Sequence, residues 1–86
     1  MEVTILLGSS SDMPVAEKCT KILKQFDVSY QLRVASAHRS PKFVEQIIHD
    51  AEADGCMVFI AMAGLAAALP GAVAALTTKP VIGVPC

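Results

Sequence analysis

The side chains best suited to chemistry stand together in Ser36-Ala37-His38-Arg39. His38 is the best general acid or base in the chain, because an imidazole titrates near neutral pH. Arg39 is a permanent cation whose planar fork can pair with a phosphate or a carboxylate. No Asp or Glu is placed by the sequence to form a triad, and Ser36 lacks a nucleophile-elbow context. Proton transfer is therefore favoured over covalent catalysis, while a solvated loop is the alternative interpretation of the segment alone.

A second polar segment, Gly8-Ser9-Ser10-Ser11-Asp12, offers backbone N–H groups and hydroxyls to a phosphate at the start of a helix. It differs from the dinucleotide fingerprint G-x-G-x-x-G, and it lacks the lysine of a P-loop. The carboxylate of Asp12 would repel a phosphate, so we expect Asp12 to cap the helix or to bind sugar hydroxyls. An ordinary capped turn remains the alternative.

A third segment, residues 63–71, consists almost entirely of small side chains and ends in Pro70-Gly71. Side chains of this size occur where a backbone must come close to a ligand. The same composition also suits a densely packed helix start. On this segment alone the second interpretation is favoured.

Each of these segments follows a predicted strand. The β-rich runs are residues 2–7, 29–34, 56–61 and 81–84, and helical patterns separate them. The order β-α-β-α-β-α-β predicts a parallel sheet with right-handed crossovers, covered by helices on both faces. We therefore expect a three-layer α/β/α sandwich of the flavodoxin or Rossmann type. Residues 1–86 form a single partial domain, cut off after the fourth strand, and the three segments meet at the carboxyl ends of the strands.

The helices are predicted from apolar spacing. Ser11 or Asp12 should cap the first helix, which ends near Asp27, and Ser40 should cap the second, with Pro41 in its first turn. A short third helix has Pro70 near its start and reaches Leu76. The predicted core-facing side chains of the first two helices are Val15, Cys19, Ile22, Leu23 and Phe26, and Phe43, Val44, Ile47, Ile48 and Ala51.

The composition excludes several classes of protein. A net charge of −1 without a basic cluster argues against a nucleic-acid partner. Residues 56–78 carry no charge, but the glycines and the proline within this run favour a buried strand, turn and helix over a membrane span. The three cysteines have no metal-like spacing and there is no signal peptide, so we expect a reduced, cytoplasmic protein without metal. At 53% hydrophobic residues, the chain should form a homo-oligomer.

The three segments, in this order and spacing, resemble the signature segments of the N5-carboxyaminoimidazole ribonucleotide mutase (PurE-type) family, and the resemblance spans essentially the whole chain. It implies an isomerase of purine (IMP) biosynthesis that needs no cofactor, works as an octamer, and moves a carboxylate from the exocyclic amine to the ring carbon of an aminoimidazole ribonucleotide. The resemblance also implies that His38 carries the proton. The substrate-binding residues that it implies are Ser9, Ser11, Asp12, Ser36, Arg39, Ala63 and Gly64.

Two departures from the family pattern bear on activity. Ala68 stands where family members have a histidine, and family members continue for about as many residues again. A catalytically impaired or non-catalytic nucleotide-binding remnant of the family is therefore the alternative function. A generic flavodoxin-like binding module is a third.

Overall fold

The computed structural model describes residues 1–64 and 68–86. Residues 65–67 are outside this description. They include the end of the predicted turn at residues 62–65 and the middle of the third segment. The elements in chain order are β1 (Val3–Leu7), a 3₁₀ turn (Ser10–Asp12), α1 (Met13–Gln25), β2 (Tyr30–Val34), α2 (Pro41–Ala53), β3 (Val58–Ala63), α3 (Ala68–Ala74) and β4 (Val81–Pro85).

The four strands form one parallel sheet in the order β2-β1-β3-β4. All five residues of β1 are buried, as expected of a strand covered on both faces. The chain passes from β1 to one side to form β2 and returns to the other side to form β3. The sheet order therefore reverses at β1, and ligands of open α/β sheets bind at such a point.

Helices cover both faces of the sheet, which confirms the predicted three-layer α/β/α architecture. On one face, α1 packs its partly buried Val15, Cys19 and Leu23 and the buried Ala16 against the odd-numbered residues of β1. On the other face, α2 and α3 pack against Leu6, Phe59 and Ala61 of the sheet. The buried helix residues on this second face are Val44, Ile47, Ile48, Ala51, Leu69 and Val73.

The predicted apolar face of α1 is wrong at its C-terminal end. Ile22 is 54% exposed and Phe26 is 74% exposed, whereas the unpredicted Ala16 is fully buried. At 100° per residue, the buried stripe runs through Ala16, Cys19 and Leu23, so that Ile22 lies to one side of it. Phe26 follows the last helical residue, and Asp27, with φ of 57°, turns the chain away.

Three further predictions about the helices need correction. Asp12 and Ser40 occupy the N-cap positions of α1 and α2, but neither side chain makes a capping hydrogen bond. Pro41 is the first residue of α2, as predicted. Phe43 is 45% exposed, with the Arg33 guanidinium 5.6 Å from its ring centre, because it lies on the first turn of α2 beyond the sheet-facing stripe. The third helix ends at Ala74, before the exposed Leu76.

A chain of buried and partly buried polar contacts links three strands at the amino end of the sheet. The Gln31 amide donates to the Thr4 hydroxyl at 3.0 Å, and that hydroxyl donates to the Cys56 sulfur at 3.3 Å. The Cys56 thiol in turn donates to the Val58 carbonyl at 3.3 Å. Thr4 is completely buried, so these bonds satisfy its hydroxyl and fix the register of β1 between β2 and β3.

Candidate functional site

The turns after β1, β2 and β3 come together at the carboxyl end of the sheet. Two backbone hydrogen bonds extend the strand pairing into these turns. The Gly8 N–H donates to the Met62 carbonyl at 2.9 Å, and the Ala35 N–H donates to the Leu7 carbonyl at 2.8 Å. The first residues of the turns after β1 and β2 are therefore fixed by the same hydrogen-bond pattern as the strands.

The first turn is organised by Ser9. Its hydroxyl oxygen accepts from the Ser11 N–H at 3.2 Å and lies 2.9 Å from the Ser11 hydroxyl oxygen. Ser9 thereby caps the 3₁₀ turn. The sequence had instead predicted that Ser11 or Asp12 caps the helix that follows, α1. The Asp12 carboxylate, left without a capping bond, lines the cleft described below.

The second turn is organised by Ser36. Its hydroxyl oxygen accepts from the Arg39 N–H at 3.2 Å, and its carbonyl accepts from the Ser40 N–H at 2.9 Å. These two bonds close the turn on itself ahead of α2. His38 and Arg39 sit at its tip, with both side chains exposed and accessible to a ligand.

The third turn contributes small groups. Ala63 is buried at the end of β3, and its carbonyl accepts from the Cys86 N–H at 2.8 Å. Gly64 is exposed, and Ala68, half-buried at the start of α3, forms part of the same wall. This side of the site therefore offers backbone and methyl groups to a ligand.

Two adjacent depressions form between these turns. The first is a cleft of about 280 Å³, here called the histidine cleft, which contains His38 and Asp12. Its lining residues are Gly8, Ser9, Ser11, Asp12, Ser36, Ala37, His38, Ala63, Gly64, Ala68 and Leu69. The second is a groove of about 540 Å³, here called the arginine groove. It is lined by Gly8, Ser9, Ser10, Val34, Ala35, Ser36, Arg39, Ser40 and Phe43.

Seven of the eight predicted site residues line the histidine cleft, and Arg39 lines the arginine groove instead. His38 and Arg39, although adjacent in sequence, thus face different depressions. Gly8, Ser9 and Ser36 line both, so a ligand that crosses this shared wall could touch the imidazole and the guanidinium together. Sequence reasoning missed Phe43 as a groove residue, because it was assigned to the core face of α2.

The Asp12 carboxylate also affects a neighbouring thiol. The pKa of the Cys86 thiol is raised, first by loss of hydration and then by the negative charge of Asp12. The thiol is therefore less ionised than a free cysteine at the same pH. Cys86 lies beside the histidine cleft, since its N–H binds the carbonyl of Ala63.

Two further properties apply to residues 1–64 and 68–86. These residues contain no group of three or more His, Cys, Asp and Glu side chains close enough to hold a metal ion. None of their helices has the length and apolar character needed to cross a membrane.

Comparisons with known proteins give a consistent result. The family model described as AIR carboxylase matches residues 2–86. The chain is 59% identical over 83 residues to the N5-carboxyaminoimidazole ribonucleotide mutase of Methanocaldococcus jannaschii, covering 96% of this chain and 51% of that protein. It is 50% identical over 84 residues to the protein of the same name from Pyrococcus abyssi, covering 98% and 48% of the two chains.

A solved structure supports the same relationship. The crystal structure of Treponema denticola PurE superposes with a TM-score of 0.93 at 39% identity, covering 98% of this chain and 54% of that one. The chain thus spans about half the length of these relatives.

Proposed function

We propose that this chain, which belongs to the AIR carboxylase family, takes part in the N5-carboxyaminoimidazole ribonucleotide mutase reaction of purine biosynthesis. The reaction moves a carboxylate from the exocyclic amine of an aminoimidazole ribonucleotide to the neighbouring ring carbon. Because the chain spans about half of its relatives, this is a proposal about the part of the site that the chain builds.

The observation that carries the proposal is the meeting of three turns at the point where the sheet order reverses. One imidazole, one carboxylate and three serine hydroxyls from the first two turns line a single cleft, and Ala63 and Gly64 line it from the third turn; the polar residues are His38, Asp12, Ser9, Ser11 and Ser36. The site is concave and lies at the carboxyl ends of the strands, where open α/β sheets bind small molecules.

The chemistry requires one proton donor that later becomes an acceptor. When the N–CO₂ bond of the carbamate breaks, carbon dioxide leaves and the exocyclic nitrogen takes a proton. The ring carbon then attacks the carbon dioxide, a C–C bond forms, and that carbon loses its proton to restore the aromatic ring. One proton is taken up and one is released, so the overall change is an isomerisation.

His38 is the residue we assign to both proton transfers. An imidazole can donate and accept near neutral pH, and His38 stands at the tip of a turn closed by hydrogen bonds to Ser36. Carbon dioxide must stay beside the ring between the two half-reactions. The methyl and backbone wall of Ala63, Gly64 and Ala68 suits that purpose, because it offers no competing nucleophile.

The remaining predicted residues would hold the phosphoribosyl part. In this arrangement the ring lies in the histidine cleft, the sugar hydroxyls bind Asp12, and the chain of the nucleotide crosses the wall made by Ser9 and Ser36. The phosphate then enters the arginine groove, where the guanidinium of Arg39 can pair with it. This division keeps the phosphate away from the Asp12 carboxylate.

The test compares two histidines. Aminoimidazole ribonucleotide is titrated into the chain while backbone amide shifts are followed by NMR, and conversion of the carbamate nucleotide is assayed in parallel. We expect shifts confined to the three turns. His38→Asn should abolish conversion with little change in binding. His49→Asn, at an exposed position on α2 outside both depressions, is the matched control.

The outcomes separate the candidate functions. No binding, or shifts away from the three turns, would overturn the proposal. Binding without conversion by the parent chain would favour the nucleotide-binding remnant. The observation behind this second candidate is Ala68 in the cleft wall, where the family resemblance places a histidine.

We propose the cytoplasm as the place of action, supported by the three cysteines, which are all free thiols. We also take residues 1–86 as one partial α/β domain. Self-association of the chain is supported by its apolar composition, with 53% hydrophobic residues.

A further inference from the structure

Gly8, the first residue of the turn after β1, lines both the histidine cleft and the arginine groove. Its N–H already donates to the Met62 carbonyl at 2.9 Å, so this donor serves the sheet. What Gly8 offers to a ligand is the space that a side chain would otherwise fill. The reason for a glycine at this position therefore lies either in the fold or in the ligand.

The strand pairing determines which way Gly8 faces. Leu6 packs in the core cluster beneath α2 and α3, and side chains alternate along a strand, so Gly8 faces the same side of the sheet. Leu6 pairs with Ala61, and one step further the register brings Gly8 opposite Ala63. Gly8 and Ala63 both line the histidine cleft and together form its floor at the carboxyl end of the sheet.

The fold itself does not require a glycine at this position. The φ angle of Gly8 lies outside the left-handed region, so an alanine can adopt the same backbone. A Cβ on Gly8 would lie 3.5 Å from the Ala63 Cβ and 3.8 Å from the Met62 carbonyl oxygen, which are ordinary van der Waals distances. The protein therefore has room for the methyl group of an alanine.

Two other glycines show what a requirement of the fold looks like. Gly55 has a φ angle of 88°, in the region that side chains disfavour. At Gly83 a Cβ would lie 3.1 Å from the Cβ of Pro70, closer than side chains normally pack. Gly8 has neither constraint, so the ligand is the remaining reason for its missing side chain.

We propose that Gly8 determines specificity in the proposed reaction, because its missing side chain lets the planar aminoimidazole ring lie flat on the cleft floor. This inference rests on the proposed function, which places the ring in the histidine cleft. The ring then contacts the backbone of Gly8 and the methyl group of Ala63. A methyl group on Gly8 would project from this floor into the space of the ring. One methylene group in a close-fitting pocket changes binding by about 10–200-fold.

The same methyl group would leave the arginine groove unchanged. The Cβ of an alanine at this position would point toward Ala63, which lines the histidine cleft only. The far side of the groove is formed by other residues, among them Arg39 and Phe43. We therefore expect a loss of affinity that is limited to ligands that contain the ring, while a phosphate alone binds as before.

The experiment titrates the parent chain and its variants with three probes: aminoimidazole ribonucleotide, the ribonucleoside without phosphate, and inorganic phosphate. Backbone amide shifts report the binding of each. Gly8→Ala should weaken the nucleotide and the nucleoside about tenfold or more and leave phosphate unchanged. Gly71→Ala is the matched control, because its added methyl group lies on α3 outside both depressions and meets no atom of the described residues within 4 Å.

Thermal unfolding, followed by circular dichroism, separates a requirement of the ligand from one of the fold. Gly8→Ala should keep or raise the midpoint temperature, because alanine fits the native backbone and lowers the entropy of the unfolded chain. Gly55→Ala should lower the midpoint, because alanine is strained at its φ angle. Its affinities should stay unchanged, since Gly55 precedes β3 and lines neither depression.

Each result decides between the explanations. If Gly8→Ala binds nucleotide and nucleoside as tightly as the parent chain does, the inference is overturned and the proposed function stands. A midpoint that falls as far as that of Gly55→Ala would show that the fold needs this glycine, and an equal loss of phosphate binding would show a disturbed turn. Either result would also overturn the inference. If the parent chain binds neither nucleotide nor nucleoside, the proposed function fails and the inference fails with it.

Discussion

Replacing Arg39 by alanine tests whether the arginine groove holds the nucleotide phosphate. Arg39 shares this groove with the hydroxyls of Ser9 and Ser36. A hydrogen bond to a charged group contributes about 1.5–3 kcal/mol, and an arginine can make two such bonds to one phosphate. The side chain is exposed, so water screens part of its charge and the lower part of this range applies. We expect a loss of about 2 kcal/mol, which is roughly a 30-fold weaker binding of aminoimidazole ribonucleotide.

The assay is isothermal titration with two ligands, the ribonucleotide and the corresponding ribonucleoside without phosphate. Arg39→Ala should weaken the nucleotide and leave the nucleoside unchanged, because the histidine cleft is intact. Lys42→Ala is the control: it removes the same charge from an exposed position at the start of α2 that lines neither depression. If nucleotide and nucleoside lose affinity equally, or if Lys42→Ala weakens the nucleotide as much, Arg39 does not hold the phosphate.

Three further predictions concern other parts of the molecule. Thr4→Val removes the buried hydroxyl that accepts from Gln31 while keeping the side-chain volume. The free energy of unfolding, measured in urea, should fall by about 1–2 kcal/mol. An unchanged free energy would show that this hydrogen bond does not stabilise the fold. Asp12→Asn should lower the raised pKa of Cys86, so this thiol should be alkylated faster at a fixed, mildly alkaline pH. Peptide mass spectrometry measures the alkylation rate. An unchanged rate would show that Asp12 does not affect the pKa of Cys86. Ala68→His should raise conversion of the carbamate nucleotide about 10²-fold or more over the Ala68 protein, provided that the half of the longer relatives that this chain does not match is supplied in cis or in trans. Equal rates of the two proteins would show that the position is not catalytic.

The sheet was predictable because its strands are short apolar runs separated by helical patterns. Val3–Leu7 is hydrophobic or neutral at every position, as expected of a strand covered on both faces. The exposed end of α1 was not predictable in the same way. Ile22 and Phe26 match the helical spacing, but burial depends on where the sheet lies relative to the helix, which spacing alone does not fix.

The candidate site was predictable as a set of turns but not as two depressions. The sequence puts His38 beside Arg39 and gives them different tasks, proton transfer and the binding of a phosphate or carboxylate, but adjacency does not show whether they line one depression or two. The hydroxyl of Ser36 closes the turn in such a way that the two side chains line different depressions. A tight turn changes direction at every residue, so neighbours in sequence need not be neighbours in function.

The central position of β1 has a consequence for synthesis of the chain. Val3 pairs with Tyr30 on one side and with Val58 on the other, 55 positions further along. At about 5–20 residues per second, a ribosome needs roughly 3–11 s to make the residues between the two partners. During this interval the most apolar strand has at most one neighbour, so nascent chains that stall before Val58 should be the ones that chaperones capture.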